Sequence, residues 1–202
     1  KVVKILVYTT GSTGKMLRRE VAENVFTVSN LRVVLQHGQQ HRALQKLATD
    51  ILSGLAMADK GKQVIVGTGG VVKQLVSIFV DAETELGGEA GEALAMLALE
   101  SEASCAAILK RDDLLDHLVS ALEGDGGARR LNAARVLRNL CAYAGEKHRP
   151  RLSAVIKAMP VVCVLSLQDE NASYHTLLLL DASRVTASQT ITFWISMHCF
   201  QI

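Results

Sequence analysis

An all-α chain of stacked helical repeats is the fold this sequence predicts, and three observations predict it. The core-forming residues are aliphatic: 49% of the 202 residues are hydrophobic, yet only 4% are aromatic, which is the material of helix-on-helix packing. A period runs along the chain. Val71-Val-Lys-Gln-Leu-Val-Ser-Ile78 aligns with Leu114-Leu-Asp-His-Leu-Val-Ser-Ala121 at an offset of 43, and the same offset carries Leu97-Ala98 onto Leu140-Cys141. A period of about 40 to 47 residues is characteristic of one group of helical repeat units. Apolar residues at three- and four-residue steps complete the case, because such stripes are buried only against neighbouring helices.

Taken in order, Lys1 to Tyr8 reads as a short helix. Long amphipathic helices are expected over Met16 to Leu31, His41 to Met57, Glu89 to Leu99 and Ala128 to Tyr143. In the last of these, Leu131, Ala134, Leu137 and Cys141 form one apolar stripe. Shorter middle helices fall at Val71 to Ile78 and Leu114 to Ala121, with a third copy at Pro160 to Leu167, shifted by 46. Pro160 suits a first helical turn, where a missing N–H costs nothing. Asp112, Asp113 and Asp116 gather at the start of the helix running to Leu122; they complement its dipole, with Asp112 or Asp113 as N-cap. Residues 1–184 thus read as one repeat domain. Val185 to Ile202 matches no repeat and reads as an irregular apolar C-terminal tail.

Composition narrows the function classes. No apolar run reaches the roughly 18 to 20 residues of a membrane-spanning helix. The net charge of +2 is too small to imply nucleic-acid binding by itself, but its distribution is uneven. Seven acids and no Lys or Arg occupy Asp81 to Glu102, whereas eight Lys and Arg face Glu146 alone between Ala128 and Lys157. Cys105, Cys141, Cys163 and Cys199 form no Cys-x-x-Cys pair and read as small core residues of an intracellular protein, cytoplasmic or nuclear. Lys1 opens directly into an apolar stretch without a signal-peptide pattern, the expectation for a fragment of a longer chain.

Several motifs tempt toward catalysis and fail on their chemistry. In Thr9-Thr-Gly-Ser-Thr-Gly-Lys15 a phosphate-binding loop would need glycine at Thr9 and a magnesium-ligating hydroxyl at Met16; the stretch reads as an inter-helix turn. Gly67-Thr-Gly69-Gly70 lacks the third glycine of a dinucleotide fingerprint, since Val72 stands there, and is explained as a helix-terminating turn. His37 and His41 have the spacing of helical zinc ligands, but Gly38, Gln39 and Gln40 between them make a turn, and no Glu follows His37. Ser12 sits in no Gly-x-Ser-x-Gly frame. No enzyme, cofactor or metal is expected.

Val66-Gly-Thr-Gly-Gly-Val-Val-Lys-Gln-Leu-Val-Ser-Ile78 and Asn132-Ala-Ala-Arg-Val-Leu-Arg-Asn-Leu-Cys141 resemble the armadillo-repeat pattern, a Gly-led middle helix and a third helix ending in Leu-x-Asn-Leu-Ala. Tyr8-Thr-Thr-Gly-Ser-Thr-Gly-Lys-Met-Leu-Arg-Arg-Glu20 is similar to large plant proteins of that superfamily. The resemblance covers about residues 1 to 167 and implies a right-handed α-solenoid of about four armadillo-like repeats, partly degenerate. The Leu-x-Asn-Leu-type endings at Leu31 and Leu55 lie only 24 apart, so the unit between them is expected to have lost most of one or two helices.

The resemblance also implies a binding surface, because third helices line the concave groove of armadillo folds. The amide that grips a peptide backbone there corresponds to Asn30 and Asn139, an amide offering both donor and acceptor; Gly54 and Met96 hold the intervening positions. One turn earlier, where peptide-binding relatives carry Trp, stand Phe26, Asp50, Glu92 and Arg135. Binding of nuclear-localisation peptides by the regular ladder is therefore not expected. A partner segment with basic residues opposite Asp50 and Glu92, and acidic ones opposite Arg135 and Arg138, is complementary. The expectation is a protein-interaction scaffold. The competing readings are a structural or regulatory segment of a larger protein and, behind it, nucleic-acid binding over residues 129–157.

Overall fold

The computed structural model describes residues 9, 11–24, 26–37, 41–81, 86–124 and 127–158. Among these the chain is all-helical, with no strand. Its elements are α1 (Gly11–Glu23), α2 (Thr27–His37), α3 (Arg42–Ala56), α4 (Asp59–Gly67), α5 (Val71–Val80), α6 (Gly87–Ala98), α7 (Glu102–Ile108), α8 (Leu114–Glu123), α9 (Gly127–Tyr143), a 3₁₀ turn (Glu146–His148) and α10 (Arg149–Ala158). The expected helices at residues 1–8 and 160–167, and the expected tail at 185–202, lie outside the described residues.

Helices pack three places apart. α1 meets α4 and α4 meets α7; α2 meets α5 and α5 meets α8; α3 meets α6 and α6 meets α9. The 43-residue offset is the length of one such step, since α4, α5 and α6 are followed at that distance by α7, α8 and α9. One continuous aliphatic core results, with Leu52, Leu55, Ile65, Leu75, Phe79, Leu94, Leu97, Ile108, Leu114, Leu118, Leu137 and Leu140 all buried. α4 and α5 meet at 89°. The turn Thr68–Gly70 makes that corner: Gly70, at φ +94°, stands in the left-handed region that favours glycine. The glycine cluster is thus the helix-terminating turn expected of it.

The N-terminal third departs from the sequence reading. No helix spans Met16 to Leu31; α1 stops at Glu23 and α2 starts at Thr27. The Asn24 carboxamide accepts the Phe26 N–H at 3.2 Å, a local turn that competes with helix continuation. Nor are residues 11–15 an inter-helix turn, for they open α1. With the break at Asn24, residues 11–56 form three helices, and the expected loss of one or two helices is not seen. Leu31 lies inside α2 and ends no third helix.

α1 and α4 each cross close to the segment before them. Any side chain at Gly61 in α4 would collide with the Leu55 carbonyl, and one at Gly14 in α1 with the Thr9 carbonyl. The equivalent α7 position, 43 residues after Gly61, holds the small, fully buried Ser104. α1 covers the first part of the expected helix Met16 to Leu31, whereas α4 and α7 were not among the expected helices. Those two are short, nine and seven residues, too few for an apolar stripe to repeat over several turns.

Candidate binding face

The third helices α3, α6 and α9 lie side by side, and α6 is the enclosed one. Of its twelve residues only Glu92 is exposed, with Glu89 and Met96 half-buried. These three fall at steps of three and four, so they form a single stripe. Ala and Gly fill the other sides: Gly87, Gly88, Ala90, Gly91, Ala93, Ala95 and Ala98 are all buried. Gly91 sets the distance to two neighbours, because a Cβ there would stand 2.9 Å from the Asn132 Cβ and 3.2 Å from the Phe79 ring.

α9 is tied to α6 by two buried amides. Asn132 Nδ2 donates to the Gly88 carbonyl at 2.8 Å, and Asn139 Nδ2 to the Ala95 carbonyl at 2.9 Å. Both asparagines are 5% exposed. Donors and acceptors are each seven residues apart, two helical turns, so the same contact is made twice along one joint. Asn139 therefore does not offer its amide to a partner, contrary to the expectation from the resemblance. It serves the joint behind the face.

The remaining expected residues divide. Asp50 on α3 is half-buried, Glu92 on α6 and Arg135 on α9 are exposed, and Arg138 on α9 is half-buried; these four lie on the adjoining third helices. Asn132 Oδ1 holds Arg135 Nη1 at 3.4 Å. Phe26 precedes α2 and Asn30 lies on it, in the row of middle helices, so neither joins the other four. Phe26 is 71% exposed. The expected stripe of α9 is also broader than read: Leu131 is 37% exposed, while Asn132, Ala133, Val136 and Leu140 are buried beside Ala134, Leu137 and Cys141.

Two charged residues that the sequence reading passed over belong to this face. Lys46 on α3 pairs with Glu89 on α6, and the two are 43 residues apart. The repeat offset was the available signal. The face thus presents Lys46 and Asp50, then Glu89, Glu92 and Met96, then Leu131, Arg135 and Arg138: mixed charge on α3, acid on α6, base on α9.

Much of the basic block has internal work. Arg129 donates to the Phe79 carbonyl at 2.8 Å and lies 5.4 Å from the centre of the Phe79 ring, which places it at the C-terminus of α5. Arg151 donates to the carbonyls of Leu109 and Asp112 after α7, and Arg149 pairs with Glu146 at 2.7 Å. Elsewhere Arg32 holds the Gly69 carbonyl at 3.1 Å and the buried Lys62 the Leu99 carbonyl. Cations here satisfy the orphan carbonyls that helix ends leave. Asp113 stands at the N-cap position of α8 as expected, but its carboxylate turns to Arg111, at 2.6 and 3.0 Å, instead of capping the helix. The Arg111 guanidinium holds that carboxyl below its ordinary range.

The two cysteines among the described residues, Cys105 and Cys141, are buried. Cys105 Sγ lies 3.3 Å from the Ala98 carbonyl, and burial pushes its pKa up to about 12. Among the described residues no group of three or more His, Cys, Asp or Glu is placed to hold a metal. No single described helix is long and apolar enough to cross a membrane.

No family model matches the chain, and no curated protein matches it. Solved structures do. One is an engineered protein, a target of the Northeast Structural Genomics Consortium, at 21% identity and a TM-score of 0.53, over 98% of this chain and 95% of that one. Another engineered protein from the same consortium matches at 21% identity and a TM-score of 0.51, over 94% of this chain; this chain spans 45% of its length. At that identity the likeness is one of fold alone.

Proposed function

We propose that the chain is a right-handed solenoid of armadillo-like units acting as a protein-interaction scaffold, with an extended partner segment lying across α3, α6 and α9. The observation that supports this reading is the graded face. Three neighbouring helices of equivalent place expose different charge, while the joint between α6 and α9 beneath them is closed by small residues and paired amides. Glu92, Arg135 and Arg138 carry specificity in this account, and a partner with basic residues over α6 followed by acidic residues over α9 is the complement. Asn30 and Asn139 have no part in it.

Selection from a random linear peptide library on the intact protein tests the proposal, followed by fluorescence anisotropy with the enriched peptides. The expected peptides pair a basic with an acidic cluster. Arg135→Glu/Arg138→Glu should weaken their binding at least tenfold while circular dichroism shows an unchanged fold. Selected peptides that bind this variant as tightly as the wild type would remove the face from the account.

A further inference from the structure

A cleft on other elements carries a second, independent inference. It has a volume of about 500 Å³ and runs between the α4–α5 corner with α5 on one side and the end of α7 with its following turn on the other. A volume of about 300 to 1,000 Å³ is usual for sites that take small organic ligands. Its floor is apolar: Val72, Val76 and Ile108 line it and are 7%, 2% and 0% exposed. Its charged lining is cationic, with Lys73, Lys110 and Arg111 and no acid.

The three cations are not equivalent. Arg111 is held by Asp113 and reaches Ser77 Oγ at 3.4 Å, so its charge is largely answered. Lys73 and Lys110 are exposed and have no ion-pair partner among the described residues. Gly70 leaves the start of α5 without a side-chain cap, and the positive end of that ten-residue helix adds to the same potential. Two unanswered ammonium groups beside an apolar floor select one ligand chemistry.

We infer that this cleft binds a small amphiphilic anion, its apolar body on Val72, Val76 and Ile108 and its acidic head held by Lys73 and Lys110. The inference does not depend on the α3–α6–α9 face and stands or falls apart from it. The probe is 8-anilinonaphthalene-1-sulfonate, titrated by fluorescence at low ionic strength beside its uncharged analogue N-phenyl-1-naphthylamine. One saturable site is expected, at least tenfold weaker for the uncharged dye. Lys73→Glu/Lys110→Glu, and to a lesser degree Lys73→Gln/Lys110→Gln, should weaken the anionic dye at least tenfold while circular dichroism shows an unchanged fold. Leu44→Ser/Leu47→Ser, on an exposed apolar stretch of α3 away from the cleft, should leave binding as it is. The inference is overturned if the anionic dye does not saturate, if both lysine variants bind it like the wild type, or if the α3 variant is the one that loses it.

Discussion

The joint between α6 and α9 and the joint between α3 and α6 hold the same place in the helix order, yet different chemistry makes them. The first has a glycine where two neighbours come within a Cβ's reach and two amides buried to 5% exposure. Across the second, the polar link is Lys46 with Glu89, whose side chains are 50% and 25% exposed, and Leu44 and Leu47 on α3 remain 51% and 46% exposed. Close packing with neutral hydrogen bonds stabilises at any salt concentration. A surface ion pair contributes about 0 to 1 kcal/mol and is screened. Shared architecture therefore does not imply shared strength, and the protein is expected to be firmer in its second half.

The largest test of this contrast is Gly91→Val. A branched side chain has no room between Asn132 and Phe79, so α9 must move off α6, at a loss of about 3 kcal/mol typical of severe overpacking; the urea midpoint reads it. Next comes Asn139→Ala, or Asn132→Ala, which each remove one buried hydrogen bond and should each lower stability by about 1.5 kcal/mol. The two sites are two turns apart, and the double variant should lose about the sum.

Cys105, whose Sγ contacts the Ala98 carbonyl at the end of α6, sharpens the comparison through pH. Its thiol pKa is raised from 9.0 to about 12 in the folded state. Below pH 9 the thiol is neutral folded or unfolded, and its contribution is fully present. Above that the unfolded state loses its proton first, so stability falls as pH rises toward 12. Relative to Cys105→Ala, the wild type should lose about 1 kcal/mol between pH 9 and pH 10. The smallest effect belongs to the other joint: a double-mutant cycle of Lys46→Ala and Glu89→Ala should give a coupling of about 0.5 kcal/mol, vanishing in 1 M salt.

What the sequence made legible follows from distance along the chain. α3, α5, α6, α8 and α9 could be read because their apolar content is high and Leu-Val-Ser recurs 43 residues on. The break at Asn24 was missed because neither Gly nor Pro marks it; a single Asn carboxamide turns the chain there. Without that break Asn30 and Phe26 fall in the wrong row. The places of Asp50, Glu92, Arg135 and Arg138 on α3, α6 and α9 were legible, since the helices that carry them could be read. The role of Asn139 was not, because its acceptor lies 44 residues away and is a backbone carbonyl, which leaves no trace in side-chain identity. The same holds for Arg129 and Arg151: a charged residue whose partner is a helix end reads as surface charge.

The missing methyl of Gly91 also has a mechanical meaning. Load applied across the described helices would be shared by joints in series, and such an arrangement yields where stiffness is least. α3 would part from α6 while α6 and α9 still move as one body, so under tension the molecule would extend in two events, the earlier one sensitive to ionic strength and the later one not.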